Sequence, residues 1–165
     1  MRRFKIFLWI FIVFLLQTVV VSHIHIFGAV PSLVISYMMC VVIMENEFRN
    51  AVIISSVCAA AMGALSGREF VIMTLAYVYS SICVFRLRKK PAYISNFQKS
   101  VIWTFVVSAV IEILYFTIMN WSINLNVLLY DALPTAVLNI LGTIIIYPVL
   151  KRTMYREEKK KLLIV

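Results

Sequence analysis

One carboxylate stands well inside an apolar run of this chain: Glu112, in the stretch VIWTFVVSAVIEILYFTIM. An ionisable group in such a setting is expensive to bury and is a functional candidate by default. A second candidate group sits in LPTAVLNILGTIIIYPVL, where Thr135, Asn139, Thr143 and Tyr147 form one i, i+4 row with Gly142 beside it, a hydrogen-bonding stripe on an otherwise oily helix. Gln17 is the strongly polar residue inside the first apolar run, and Tyr37 and Tyr77 lie inside the second and fourth. His23 and His25 alternate in SHIHIFGAVPS, but two histidines without a carboxylate or thiolate beside them make a poor metal site, and an interfacial loop is the expected role. Cys40, Cys58 and Cys83 have no CxxC spacing and read as small buried hydrophobes. Intramembrane proteases and lipid phosphotransferases need two or more placed acids, a Ser/His pair or a metal cluster. The runs hold one such acid and no histidine, so the expectation is a non-enzyme without cofactor or metal.

The elements that must position these groups are membrane helices. Of the 165 residues, 63% are hydrophobic and 14% charged, and the mean hydropathy is +0.97. An ordinary water-soluble globule carries about a quarter charged residues. Six apolar runs can be drawn: Ile6 to Ser22, Val30 to Met44, Ala51 to Ser66, Phe70 to Phe85, Val101 to Met119 and Ala132 to Leu150. Four of them hold only 15 to 17 residues, so the reading as six spans needs flanking residues to extend each helix by a turn. The expected fold is an all-α integral membrane protein, a compact bundle of about six transmembrane helices with both ends in the cytoplasm. It is one polytopic domain over residues 1–165, with a basic cytoplasmic tail at 151–165. Residues 51–85 also permit a re-entrant hairpin, since that alternative would move only Arg68.

The net charge of +9 raises nucleic acid as a partner, but the distribution of the charges points elsewhere. With six spans and the N-terminus inside, 15 of the 16 basic residues fall on the cytoplasmic side and Arg68 alone on the outer side. That is a strong positive-inside bias, with anionic lipid of the inner leaflet as the expected partner of the basic clusters and no nucleic acid. The segment RLRKKPAYISNFQKS is expected to lie on the inner surface with Tyr93 and Phe97 toward the headgroups.

Two packing features follow from spacing. Ser55, Ala59, Gly63 and Gly67 recur at strict i+4 intervals, a row of small residues that lets a neighbouring backbone approach closely, within the bundle or from another subunit. Counting about 1.5 Å per residue from the outer ends of the runs puts Glu112 and Asn139 at the same depth, roughly 10 Å in, facing each other across an antiparallel hairpin. Tyr37, Tyr77 and Gln17 fall near that depth. The expectation is a polar layer in the outer half of the bundle, fixing helix register or lining a small pocket.

The succession of an N-terminal basic patch, a first helix holding Gln17, FGAVPSL, AAAMGALSG, RLRKK and LPTAVLNILGTIIIYPVLKR resembles the rod shape-determining protein MreD family over essentially the whole chain. Pro134, Asn139, Tyr147 and Pro148 carry the most specific part, and Glu112 fits an acid in the fifth helix. Many relatives carry an aspartate just before the Leu-Ser-Gly stretch, where this chain has Gly63. The resemblance implies a non-enzymatic component of the bacterial cell-elongation machinery in the cytoplasmic membrane, supporting peptidoglycan synthesis. Its implied partners are MreC and, through it, MreB, a SEDS-type glycan polymerase and a class B penicillin-binding transpeptidase. The competing reading is the substrate-binding membrane subunit of an energy-coupling-factor transporter. That family docks its partner through small residues in the first helix, whereas FLWIFIVFLLQTVVV has none.

Overall fold

The computed structural model describes residues 2–26, 29–66, 70–88, 93–120 and 132–153. Among them are six α-helices and no strand: α1 (Arg2–Val19), α2 (Leu33–Met44), α3 (Phe48–Ser66), α4 (Phe70–Leu87), α5 (Asn96–Asn120) and α6 (Leu133–Thr153). A 3-10 turn at Val21–His23 follows α1, and Ile26 and Ala29 exchange two backbone hydrogen bonds of 3.0 Å in the loop before α2.

Helix α2 is the hub. Its sequence LVISYMMCVVIM carries no charge and no polar face, and a helix that is apolar all round belongs in an interior. Every residue from Val34 to Ile43 is buried, and α1, α3, α4, α5 and α6 all pack against it. The chain is therefore organised around its second apolar run. Its 12 residues make a rod of about 18 Å, well short of the roughly 30 Å of a hydrocarbon core. The run Val30 to Met44, expected as one of six full spans, folds instead as a short helix enclosed by the others. The first residues of the run are spent on an extended approach, with Ser32 as the N-cap.

The surrounding helices form two close antiparallel pairs, α3 with α4 and α5 with α6, while α1 leans on α2 alone among its close neighbours. Side-chain contacts fix the directions. Gln17 late in α1 meets Leu33 at the start of α2, Ser32 meets Met62 late in α3, and Arg88 just past α4 meets Val42 and Ile43 at the end of α2. We call the end where α2 and α6 begin the upper end. The α3 and α4 pair thus runs beside the whole length of α2, since Phe48 and Phe85 touch edge to face near its lower end and Met62 reaches its upper start.

Five helices turn apolar faces outward. Exposed residues recur as Ile102, Val106, Val110 and Leu114 on α5 and as Val137, Leu141, Ile144, Ile145 and Val149 on α6. Phe4, Phe7, Leu8, Phe11 and Leu15 do the same on α1, Ile53 and Val57 on α3, and Val71, Leu75 and Tyr79 on α4. The interior, by contrast, holds Ser36, Ser55, Ser100, Thr104, Ser108, Asn139 and Thr143 with no exposed surface. Contiguous apolar faces along several helices are a feature that water-soluble monomers rarely expose. Two helical stretches, Asn96–Ile118 and Leu133–Thr153, are long and apolar enough to cross a membrane.

Helix α5 begins five residues before its apolar run, so residues 96–100 of the segment expected at the inner surface are helical, and residues 89–92 of it lie outside the described residues. Ser95 Oγ accepts from the Gln98 N–H at 3.3 Å while the Gln98 side chain accepts from the Ser95 N–H at 3.1 Å, a reciprocal cap that starts the helix at Asn96. Tyr93 is exposed, as an interfacial residue would be, but Phe97 packs edge to face on Tyr147 of α6, ring centres 5.1 Å apart.

Candidate functional site

The polar groups converge on the start of α2. A helix begins with backbone N–H groups that have no intrahelical acceptor, and those that are buried need partners from elsewhere in the chain. Here three side chains do. The Ser32 hydroxyl accepts from the Ile35 N–H at 3.4 Å, Gln17 Oε1 accepts from the Leu33 N–H at 2.8 Å, and Asn139 Oδ1 accepts from the Ser32 N–H. Gln17 Nε2 also donates to the Pro31 carbonyl at 3.0 Å, so this one amide saturates both sides of the bend. The sequence readings that singled out Gln17 and Asn139 meet at one turn of backbone contributed by residues 31–33.

Asn139 is also the knot between α5, α6 and α2. Its Nδ2 donates to Ser108 Oγ at 2.9 Å, and its carbonyl accepts from Ser36 Oγ at 2.7 Å. One turn further along α6, Thr143 Oγ1 lies 3.0 Å from both the Asn139 carbonyl and Thr104 Oγ1. Gly142 allows this closeness, because a Cβ there would stand 2.8 Å from Ser36 Oγ and 3.2 Å from Leu33 Cδ2. Thr135, Asn139, Thr143 and Tyr147 are all buried, so the row read from spacing faces the bundle.

The depth count holds for some members of the expected layer and fails for others. Gln17, Tyr77 and Glu112 come together, lining one cavity of about 370 Å³ with Thr18, Pro31, Ser32 and Met62. The cavity sits over the start of α2, in the space that a full-length second helix would have filled. Across the α5 and α6 hairpin, the side chain bonded to Asn139 is Ser108, one turn below Glu112. Tyr37 leaves the layer: its hydroxyl donates to the Ile6 carbonyl at 3.0 Å, in the first turns of α1 and eleven residues from Gln17. Equal counting assumed that all helices start at one level, and α2 starts lower.

In the small-residue row, Ser55, Ala59 and Gly63 are buried within the chain, and Thr74 of α4 approaches the Ala59 carbonyl at 3.5 Å. Gly67 lies outside the described residues, as do Arg68, Asp131 and the tail beyond Thr153. His23 and His25 are exposed, and among the described residues no group of three or more His, Cys, Asp or Glu side chains is placed to hold a metal. Cys40, Cys58 and Cys83 are unpaired thiols, the first two fully buried.

Sequence reasoning missed the residues that answer the expected ones. Ser100, Thr104 and Ser108 form an i, i+4 row on α5 that mirrors the row on α6, and the same spacing test would have found it. Arg88, read as one charge in a basic cluster, caps the far end of α2. Its Nη1 donates to the Val42 and Ile43 carbonyls at 2.6 and 2.9 Å, and its guanidinium lies 3.9 Å from the centre of the Phe85 ring. A cation at the C-terminus of a helix is favoured by the orphan carbonyls and the dipole alike.

Fold and site together define an all-helical protein with a polar-pinned interior and an apolar exterior. Searched against protein-family models, curated proteins and solved structures, the chain matches none.

Proposed function

We propose that this chain is a multi-pass scaffold of the bacterial cytoplasmic membrane, non-enzymatic, serving the cell-elongation complex that builds peptidoglycan and maintains rod shape. One observation carries the scaffold part: the interior polar side chains are committed to holding helices together at both ends of α2, while five helices offer apolar faces to their surroundings. Lipid is the solvent that suits such an exterior, since a bilayer leaves backbone and side-chain polar groups to be satisfied internally. In that placement α1, α3, α4, α5 and α6 cross or nearly cross the bilayer and α2 fills the centre, with the chain's start and the end of α6 on the basic, cytoplasmic side. The lengths of α3 and α4, 19 and 18 residues or about 27 to 29 Å, favour two spans over a re-entrant hairpin. The elongation part rests on the sequence resemblance to the MreD family, which brings MreC as the direct partner.

Because the small-residue row of α3 and the polar row of α6 are consumed inside the chain, a partner helix would meet other faces. The outward face of α3, with Ile53, Val57, Ala60 and Ala64, combines apolar and small residues and is the one we assign to partner contact. The test is affinity purification of the tagged chain from native membranes in mild detergent, with unbiased identification of co-purifying proteins. MreC with other elongation proteins is the expected result, diminished by Ala60→Leu. Recovery of a coupling subunit with paired ATPases overturns the proposal.

A further inference from the structure

We infer that the cavity between the lower ends of α1 and α3 seats the headgroup of one phospholipid, phosphatidylethanolamine, whose phosphate is joined through two carbons to a primary ammonium. The inference rests on the membrane reading of the exterior, in which this end of α2 lies at the cytoplasmic leaflet. The cavity has a volume of about 340 Å³ and is lined by Phe7 of α1 and by Glu47, Arg49, Asn50, Ile53 and Ile54 at the start of α3. Helices α1 and α3 are not a packed pair, and Phe7 and Ile53, one on each, are both about half exposed. The space therefore opens toward whatever surrounds the bundle. Its size speaks against a partner helix: one turn with its side chains, about 10 Å across and 5.4 Å long, fills roughly 420 Å³.

The charges select the lipid. Glu47 and Arg49 stand two residues apart, both exposed and both lining the cavity, and among the described residues Arg49 has no ion pair or side-chain hydrogen bond. Glu47 Oε2 accepts from Asn50 Nδ2 at 2.9 Å, and an ionised carboxylate has about four acceptor positions. Glu45, which also borders the space, is nearly without exposed surface and is engaged within the chain, so it is not counted as a headgroup ligand. A guanidinium fork suits a phosphate, and a carboxylate accepts from an ammonium N–H. Phosphatidylglycerol satisfies Arg49 but leaves Glu47 facing negative charge. Phosphatidylcholine carries the positive charge without an N–H donor. The acyl chains follow Phe7 and Phe11, one turn apart on the exposed face of α1. Ile53 is shared with the partner face of α3, whose Ala60 and Ala64 lie two and three turns higher.

The full chain, purified in mild detergent, is titrated with the dioctanoyl forms of phosphatidylethanolamine, phosphatidylcholine and phosphatidylglycerol, and bound lipid is counted by native mass spectrometry. The expected result is one saturable site that holds phosphatidylethanolamine about threefold or more tighter than either other lipid, the size of one partly solvated ion pair. Arg49→Gln should weaken that binding by a similar factor. Glu47→Gln should erase the advantage over phosphatidylcholine and leave phosphatidylcholine binding as it was. Arg152→Gln, an exposed cation at the lower end of α6, should change nothing. All three side chains are exposed, so the variants should fold. Alkaline washing of native membranes tests the underlying reading separately. A chain washed free overturns the membrane placement and this inference with it. A chain that stays in the membrane but binds the three lipids equally, prefers phosphatidylglycerol, or keeps its preference in Glu47→Gln overturns this inference alone.

Discussion

Replacing Asn139 by leucine tests whether the start of α2 is held from α6. The two side chains are close in size, so the change leaves little cavity, and what is lost is hydrogen bonding. Two partners are stranded. Ser108 Oγ loses a donor but keeps its own proton to give to a carbonyl on α5, so its loss is small, near the average of about 0.6 kcal/mol for interhelical hydrogen bonds in membranes. The Ser32 amide has no such alternative, and an orphaned buried amide costs about 1 to 3 kcal/mol. Removing the amide of Asn139 from a fully buried position returns part of this. The sum is about 2 kcal/mol, close to a thirtyfold shift in the unfolding equilibrium. Reversible unfolding of the purified chain in mixed micelles with a denaturing detergent reads it, with Ser108→Ala as the control expected to lose less than about 1 kcal/mol. If Asn139→Leu unfolds with the wild-type protein, or if Ser108→Ala is equally damaging, then the bond to the Ser32 amide is not what holds α2, and the hub described above loses its upper clamp.

Gln17→Leu should cost about 1 to 3 kcal/mol by exposing the Leu33 amide to the same problem, and with Asn139→Leu the two losses should not add, because both act on one turn of backbone. Gly142→Ala should destabilise by about 1 kcal/mol in the same unfolding assay, as the new methyl displaces the Ser36 hydroxyl from the Asn139 carbonyl, and Ser36→Ala in the same chain should recover most of that loss. At the other end, Arg88→Met should cost about 2 kcal/mol by leaving the last carbonyls of α2 without donors, whereas Arg86→Met, exposed above the Phe48 ring at 5.3 Å, should cost under about 0.5 kcal/mol. Ala59→Leu should impair folding by overpacking α3 against its neighbours, while Ala60→Leu, on the outward face, should fold normally and reduce co-purification of MreC.

Much of this arrangement is written in residue spacing. The row Thr135, Asn139, Thr143 and Tyr147 faces inward because a membrane-type helix has nowhere else to put four polar side chains, and the row Ser55, Ala59 and Gly63 is buried because small residues let α4 come close. What spacing could not supply is level. Depth counted from run ends treats each apolar run as a rod starting at the same surface, and that held for Gln17, Tyr77 and Glu112 but not for Tyr37. The reason is local: Pro31 cannot donate from its backbone, Ser32 caps, and the helix begins at Leu33, a turn below where hydropathy alone would begin it. Arg88 was illegible for a different reason. A basic residue after an apolar run is explained equally by topology and by capping, and only the position of the α2 carbonyls distinguishes the two.

The shortness of α2 has one physical consequence that ties the fold to the cavity. A helix of 12 residues in the middle of longer neighbours leaves unfilled height at one end or both, and the height must be filled by loop, side chain or ligand. At the lower end Arg88 fills it and neutralises the carbonyls, and Glu45, nearly without exposed surface, follows as the C-cap. At the upper end the fill is incomplete. Residues 30–32 descend to meet Gln17 and Asn139, and the space beside them is bordered by Tyr77 and Glu112 from helices that continue upward. Had the bundle needed only a stable centre, three more apolar residues on α2 would have closed that space and removed the need for Gln17. The same amide that secures the helix start therefore also borders the cavity, while Arg88 acts at the opposite end of α2, so the stability losses from Gln17→Leu and Arg88→Met should add in the unfolding assay.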